Sequence, residues 1–203
     1  MNTKIAKAIS ILLNPAFMPI LGVLIIFQSR LYQNILPQHQ MYVYLIVFFF
    51  TILIPLSLFP LLSVWKLINS IHLDERRDRF IPLVISTLCF YVTHFFILKM
   101  GGPRLLSLFT FATSLTSLIV LVVTLFWKIS IHMTGIGGVT GLILALSLAY
   151  PVNLFSILIL AIVLSGFLAS VRLYLQVHNL LQIVTGYFTG FLSVIFTYYF
   201  FSV

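Results

Sequence analysis

The chain has 203 residues, of which 62% are hydrophobic and only 7% are charged, and its mean hydropathy is +1.20. This composition excludes a soluble globular domain, and apolar runs of about 20 residues each predict an all-α, polytopic transmembrane bundle of six or seven helices. The 11 basic residues outnumber the 3 acidic ones, but they lie at the ends of the apolar runs, a pattern that indicates membrane anchoring and an anionic ligand and argues against nucleic acid as a partner.

The apolar segments follow one another with no internal repeat and no low-complexity linker, so residues 1–203 are expected to form a single domain. The first segment follows two lysines and is interrupted by Pro15 and Pro19, which predicts an uncleaved, kinked first helix and not a signal peptide. The expected spans are residues 9–27, 41–65 with kinks at Pro55 and Pro60, 80–98, 105–127, 135–150, 154–169 and 180 to the end.

The polar segments between these spans fall on two sides of the membrane. If all seven segments cross, residues 66–79, 128–134 and 170–179 share one side, and they contain every acidic residue together with His132 and His178. One pocket assembled from these three segments is therefore predicted. Lys99 and Arg104 are expected on the opposite face, and His94, in the middle of the third span, is expected to make a structural hydrogen bond.

Several function classes are disfavoured by what the sequence lacks. No Asp or Glu lies within an apolar span, which argues against a proton- or sodium-coupled transporter. Asp74 and Asp78 are the only aspartates and arginines crowd both, which argues against a magnesium-dependent prenyl or CDP-alcohol transferase. The single cysteine, Cys89, permits no intrachain disulfide.

The stretch from residue 169 to residue 190 carries the clearest chemical pattern. Gln182, Gly186 and Gly190 follow His178 at steps of four, so on a helix they share one face, and Gln182 can reach the imidazole. The two glycines would let a neighbouring helix approach closely. Arg172 lies six residues before His178 and would point elsewhere on a continuous helix, so a turn between them is predicted.

This pattern resembles the third signature of the type 2 phosphatidic acid phosphatase superfamily, with Gln182 at the position of the family's Asp. Ser130-Ile131-His132 resembles the second signature, in which Pro, Ser, Gly and His follow one another. The first signature is matched least, since His72 stands in place of a Lys and Pro82 follows Arg79 by three residues instead of one. The resemblance covers roughly residues 66 to 190.

The resemblance implies a metal-independent phosphatase that needs no cofactor and works through a phosphohistidine. His178 would attack phosphorus, His132 would protonate the leaving oxygen, and Gln182 would orient the nucleophile. The remaining site residues would hold the phosphate because guanidinium groups donate bidentate hydrogen bonds and stay charged; these are Arg172, Arg79, Arg76 and Ser130.

Gln182 is the departure with the largest chemical consequence. Its carbonyl oxygen can accept the hydrogen bond that the family's Asp accepts, but it supplies no charge; in the serine-protease triad the matching amide substitution costs about 10⁴-fold. One hypothesis is that Asp74, Glu75 or Asp78 supplies the missing charge from the segment before the third span. The other is that the chain is a non-catalytic relative that binds or translocates phospholipids.

The expected substrate is a lipid phosphate or diphosphate in a bacterial cytoplasmic (inner) membrane. An undecaprenyl diphosphate, a phosphatidylglycerol phosphate, a phosphatidic acid and a lipid A phosphate all fit, and the oligomeric state is left open. Eight basic residues are assigned to the side of the membrane that carries residues 66–79, 128–134 and 170–179, and three are assigned to the other side. This excess predicts a cytoplasmic site. The family usually works on the outer face, and the side would reverse if the first segment only dips into the membrane.

Overall fold

The computed structural model describes residues 2–67 and 77–201, and this part of the chain is helical with no β-strand. Two short 3₁₀ turns, Pro15–Phe17 and Arg77–Arg79, and one π-helical turn, Phe49–Leu53, interrupt or precede the α-helices. The α-helices are α1 (Thr3–Leu12), α2 (Met18–Gln28), α3 (Pro37–Phe48), α4 (Ile54–Val64), α5 (Phe80–Lys99), α6 (Arg104–Phe126), α7 (Ile131–Ala149), α8 (Phe155–Tyr174) and α9 (Leu180–Phe201).

Seven helical stretches within the described residues are long and apolar enough to cross a membrane, since α1 with α2 and α3 with α4 each form one stretch. Large hydrophobic side chains cover much of the outer surface, including Leu148 at 78% exposure and Val163 at 60%. Such a surface suits a hydrocarbon environment, where helices satisfy their own backbone hydrogen bonds. The predicted all-α, multi-pass transmembrane fold is therefore confirmed.

The first two spans are irregular, as their prolines predict, but not at every proline. The first span breaks at Asn14, whose side chain accepts a hydrogen bond from the Ala16 N–H at 2.9 Å. Pro19 does not break the chain, because it lies in the first turn of α2, where its missing N–H costs nothing. In the second span the π-helical turn directly precedes Pro55, which cannot donate to the preceding turn.

Two helix boundaries near the predicted pocket differ from the sequence-based expectation. α7 begins at Ile131 and not at residue 135, so His132 lies in its first turn. α8 ends at Tyr174 and not at residue 169, so Arg172 lies in its last turn. Polar side chains suggested loops at both places. Some of them bond within their own helices, as when the Thr134 hydroxyl donates to the Ser130 carbonyl at 3.1 Å, while His132 and Arg172 bond to Ser10 on α1.

α7 is the most enclosed helix and lies at the centre of the bundle. It packs most extensively against α9 and also contacts α8 and α2, while α5 packs against α6 and α6 against α9. The buried side of α7 is rich in small residues, which lets its neighbours approach the backbone closely. The N-terminal end of α7 therefore lies in the interior of the bundle, beside the ends of several other helices.

Candidate functional site

Close packing between α7 and α9 brings the beginnings of these two helices together. A Cβ on Gly186 would lie 2.6 Å from the Ser130 carbonyl oxygen, and a Cβ on Gly141 would lie 2.6 Å from that of Phe191. On Gly190 it would overlap the Thr134 carbonyl oxygen. The predicted close approach at Gly186 and Gly190 is thus present, and α7 is the helix that approaches. Near the same point the Ser130 N–H donates to the Gln182 carbonyl at 3.3 Å.

His178 is held at the start of α9 by the side chain of Gln182. The His178 Nδ1 lies 2.9 Å from Gln182 Oε1, as the four-residue spacing predicts. The same oxygen lies 3.4 Å from the Asn179 N–H, while Asn179 Oδ1 accepts from the Gln182 N–H at 2.9 Å. Asn179 and Gln182 therefore form a capping box, in which each side chain bonds the other residue's backbone.

This arrangement fixes which nitrogen of His178 carries the proton. Gln182 Oε1 is an acceptor only, so Nδ1 must donate to it, and the lone pair is left on Nε2. His178 is only 7% exposed, and burial, reinforced by the positive charges of Arg79, Arg172 and Lys128, lowers its pKa from 6.5 to about 4 against the opposing effect of the Gln182 hydrogen bond. The imidazole is neutral at physiological pH, with a free nitrogen lone pair.

Arg172 approaches the same region from the last turn of α8. The predicted turn between Arg172 and His178 is present, because α8 ends at Tyr174 and α9 begins at Leu180, with Gln176 between them at a positive φ of 54°. The Arg172 Nη1 donates to the Ser10 hydroxyl at 2.6 Å. Its Nε is buried and has no hydrogen-bond partner among the described residues, so this donor is available to a ligand.

His132 faces the same space from the first turn of α7. Its Nε2 lies 3.1 Å from the carbonyl oxygen of Ser10, which can only accept, so Nε2 carries a proton. Ser130 precedes it and is fully buried, and its hydroxyl has no hydrogen-bond partner among the described residues. Ile131 and His132 line the cavity between these helices, and Ser130 does not.

Arg79 enters from the 3₁₀ turn that precedes α5. It is 7% exposed, and its Nη1 donates to the carbonyl oxygen of Ile129 at 3.2 Å, in the segment that leads into α7. Asp78 beside it is also buried. Arg76 and the acidic residues Asp74 and Glu75 lie outside the described residues. The hypothesis of a carboxylate from this segment therefore stays a prediction.

These side chains converge on a cavity of about 880 Å³. One part of its wall is polar and basic and includes Arg79, Arg172 and both histidines; the rest is largely apolar and comes from α2, α4, α5 and α6, with Phe59, Leu83, Phe90, Phe109 and Val120 among its residues. A cavity that combines a cationic region with an apolar region suits an anionic headgroup attached to a hydrocarbon chain. Within the described residues, no group of three or more His, Cys, Asp or Glu side chains is placed to hold a metal ion.

The sequence analysis missed the contribution of α1 to this cavity. Lys7, Ser10 and Ile11 line it, and Ser10 bonds to both Arg172 and His132. A lone Ser within an apolar run gives no signal for such a role. The capping box at Asn179 was detectable, because Asn followed three residues later by Gln before an apolar run is a helix-start signature.

His94 and Arg104 do not line the cavity. His94 Nδ1 lies 3.0 Å from the Ser107 carbonyl oxygen on α6, which agrees with the structural role predicted for it. Arg104 donates to the Phe201 carbonyl at the end of α9, far from the start of that helix.

Comparison of the chain with protein-family models, with curated proteins and with solved structures finds no match in any of the three.

Proposed function

We propose that this protein is a membrane lipid phosphatase, similar to the type 2 phosphatidic acid phosphatases, that hydrolyses a lipid phosphate or diphosphate through a phosphohistidine. The observation that carries the proposal is the pairing of a buried, neutral His178 with Arg172 in one cavity. His178 presents a free Nε2 lone pair, and Arg172 presents a buried Nε donor without a partner among the described residues. A nucleophile and an anion-binding group thus share one ligand space.

In the first step, His178 Nε2 attacks phosphorus and the bond from phosphorus to the lipid oxygen breaks. The leaving oxygen takes the Nε2 proton of His132. For this step His132 must be an imidazolium that also carries a proton on Nδ1, so that a neutral imidazole remains after the transfer. Arg172 and Arg79 stabilise the charge on the phosphoryl oxygens. The Gln182 carbonyl oxygen holds the Nδ1–H of His178, which becomes part of a cationic phosphohistidine ring.

In the second step, water attacks phosphorus and the bond from phosphorus to Nε2 breaks, which releases inorganic phosphate and restores neutral His178. His132, now a neutral imidazole, accepts the proton of the attacking water at Nε2 and becomes an imidazolium again, so that both histidines return to their starting states. The role of Ser130 as a phosphate ligand requires its buried hydroxyl to become part of the cavity wall, which makes it the least supported of the proposed ligands.

The proposal is tested by phosphate release from detergent-solubilised lipid phosphates in excess EDTA. His178→Ala should abolish turnover, and His132→Ala should reduce it by about 10²- to 10⁴-fold, the usual contribution of a general acid. His94→Ala serves as the matched control, since that histidine bonds to α6 and does not line the cavity. Equal turnover in the parent and both site variants, or turnover that EDTA abolishes, would refute the mechanism.

The second candidate function is non-catalytic binding or translocation of phospholipids. It is favoured by Gln182, which supplies no negative charge to stabilise a cationic His178. In that case the parent would bind lipid phosphates but release no phosphate, and His178→Ala would leave binding nearly unchanged.

The proposed setting is a bacterial inner membrane. The side that carries the site is measured by placing a cysteine at Lys128 in a Cys89→Ala background and testing its reaction with an impermeant thiol reagent. Reaction in intact cells places the site outside, and protection until lysis places it in the cytoplasm.

A further inference from the structure

The two oxygen atoms of Ser10 accept hydrogen bonds from Arg172 and His132. In the proposed mechanism these two groups donate to the phosphate and to the leaving oxygen instead. The Ser10 hydroxyl accepts from Arg172 Nη1 at 2.6 Å, and its carbonyl accepts from His132 Nε2 at 3.1 Å. Ser10 is 162 residues away from Arg172 in sequence and is itself buried at 8% exposure. His132 Nε2 carries one proton, so a leaving oxygen that binds it must replace the Ser10 carbonyl. A phosphate that takes the Arg172 Nη1 donor directed at Ser10 must replace the Ser10 hydroxyl as well.

The helix that carries Ser10 is attached to the rest of the bundle by a narrow strip. Ala6 and Ser10 are the buried residues of α1, and α1 packs mainly against α8. The side chains of Ile5 and Leu12 are 55% and 75% exposed and lie outside the cavity, whereas Ile11 lines it. Because Ile5 and Leu12 lie outside the cavity and are exposed on the surface of the bundle, α1 can move without transferring these two side chains from lipid into water.

The chain between α1 and α2 has the geometry of a hinge. Leu13 ends α1 in a non-helical conformation, and Asn14 is extended, with φ −65° and ψ 136°. The 3₁₀ turn Pro15–Phe17 then fixes the beginning of α2, while no α-helical hydrogen-bond ladder continues from α1 into α2. Rotation at these two residues moves α1 and leaves α2 in place.

We propose that α1 is a lid over the phosphate site, in which Ser10 takes the place of the headgroup phosphate until a lipid phosphate displaces it. This inference rests on the proposed function, because it takes Arg172 and His132 as groups that contact the substrate. The exchange favours the substrate, since a phosphate carries negative charge and can accept two parallel hydrogen bonds from a guanidinium, whereas the Ser10 hydroxyl is neutral and accepts one. It also offers an acceptor to the unpartnered Arg172 Nε.

The competition is measured as the dissociation constant of two probes, inorganic orthophosphate and dihexanoyl phosphatidic acid, by calorimetry in a His178→Ala background that prevents turnover. Ser10→Ala should tighten binding of both probes by about tenfold or more, because one competing hydrogen bond to a charged group is lost. Ser10→Asp should weaken binding by more than about tenfold, because a carboxylate competes for Arg172 more strongly. Thr3→Ala, which removes a hydroxyl from an exposed position of α1, should leave both constants unchanged.

Movement of the lid is measured by spin-label distances between Ile5→Cys on α1 and Phe167→Cys on α8, in a Cys89→Ala, His178→Ala background. Both positions are exposed, at 55% and 47%. Saturation with dihexanoyl phosphatidic acid should lengthen the distance, and Ser10→Asp should prevent that change at the same probe concentration.

The outcomes separate the lid from the phosphatase. If the parent hydrolyses lipid phosphates but Ser10→Ala binds the probes more weakly, Ser10 is a phosphate ligand and the lid is refuted while the phosphatase stands. An unchanged label distance on saturation has the same meaning. If the parent neither binds the probes nor releases phosphate, both proposals fail together.

Discussion

Helices α7 and α9 and helix α1 form two sides of the same cavity, but they are held in opposite ways. α7 and α9 meet through glycines whose backbones approach so closely that a methyl group would not fit at Gly190. α1 is joined through a non-helical hinge and buries only Ala6 and Ser10. Packing holds the chemical groups on the first side, while on the second side Ser10 bonds to Arg172 and His132.

The difference also appears in the hydrogen bonds of the two sides. His178 is oriented by Gln182, four residues away on the adjoining helical turn, and Gln182 is itself fixed in a capping box with Asn179. Ser10 reaches its two partners only across helices, and both partners are groups that a phosphate could take over. The bonds among His178, Asn179 and Gln182 persist whenever α9 forms, whereas a ligand can replace the bonds that Ser10 makes.

The largest expected effect comes from disturbing the rigid side of the cavity, which α7 and α9 form. Gly190→Ala should lower the free energy of unfolding by about 3 kcal/mol or more, because the new Cβ overlaps the Thr134 carbonyl oxygen and neither backbone can move independently. Gly166→Ala is the matched control: no atom beyond its chain neighbours and the nearby backbone of its own helix lies within 4 Å of the new Cβ, and a helical alanine should raise stability by up to about 1 kcal/mol. Thermal unfolding in detergent checks both variants, and equal melting temperatures would contradict the packing argument.

The next effect concerns the protonation of His178 on the rigid side. With a pKa of about 4, His178 should remain neutral and nucleophilic at pH 5 and above, so kcat/KM should show no acid limb near 6.5 from this group. Gln182→Glu keeps the side-chain length and the capping box and adds a negative charge, which should raise the His178 pKa by about 1 to 3 units. Gln182→Leu removes the hydrogen bond that raises the pKa and should lower it further.

The measurement is histidine NMR titration together with the pH profile of phosphate release. Because the folded-state pKa lies below the ordinary value of 6.5, the unfolded chain takes up the proton first as the pH falls, and the protein should lose stability from pH 6.5 toward 4. A His178 that titrates near 6.5 in the folded parent would show that the imidazole is not desolvated as the structure indicates.

The smallest expected effect comes from loosening the hinged side of the cavity, which α1 forms. Asn14→Ala removes the side-chain oxygen that caps the Pro15–Phe17 turn and should cost about 1 kcal/mol of local stability. The global melting temperature should change little, while hydrogen exchange should speed up in α1 and stay unchanged in α7 and α9. Faster exchange throughout the bundle would mean that α1 and its hinge are part of the rigid core.

The sequence alone determined the fold class and the local geometry around His178. Apolar runs of spanning length predicted the helical membrane bundle, because each such segment must satisfy its backbone internally. The four-residue steps predicted the contact of His178 with Gln182 and the close approach at the glycines, since helical spacing fixes which residues lie on one face. The shared helix face is a short-range relation that does not depend on the rest of the chain, whereas the identity of the approaching helix, α7, depends on the tertiary packing.

Only the tertiary structure decided where α7 begins, where α8 ends and which residues of α1 face the cavity. Polar residues near the ends of α7 and α8 suggested loops, but the bundle surrounds them and their helices continue. No sequence pattern relates Ser10 to Arg172, because their contact is set by how α1 packs against α8. The physical reason is that contacts between distant segments depend on the burial that the whole bundle provides, and this burial is absent from any local stretch of the chain.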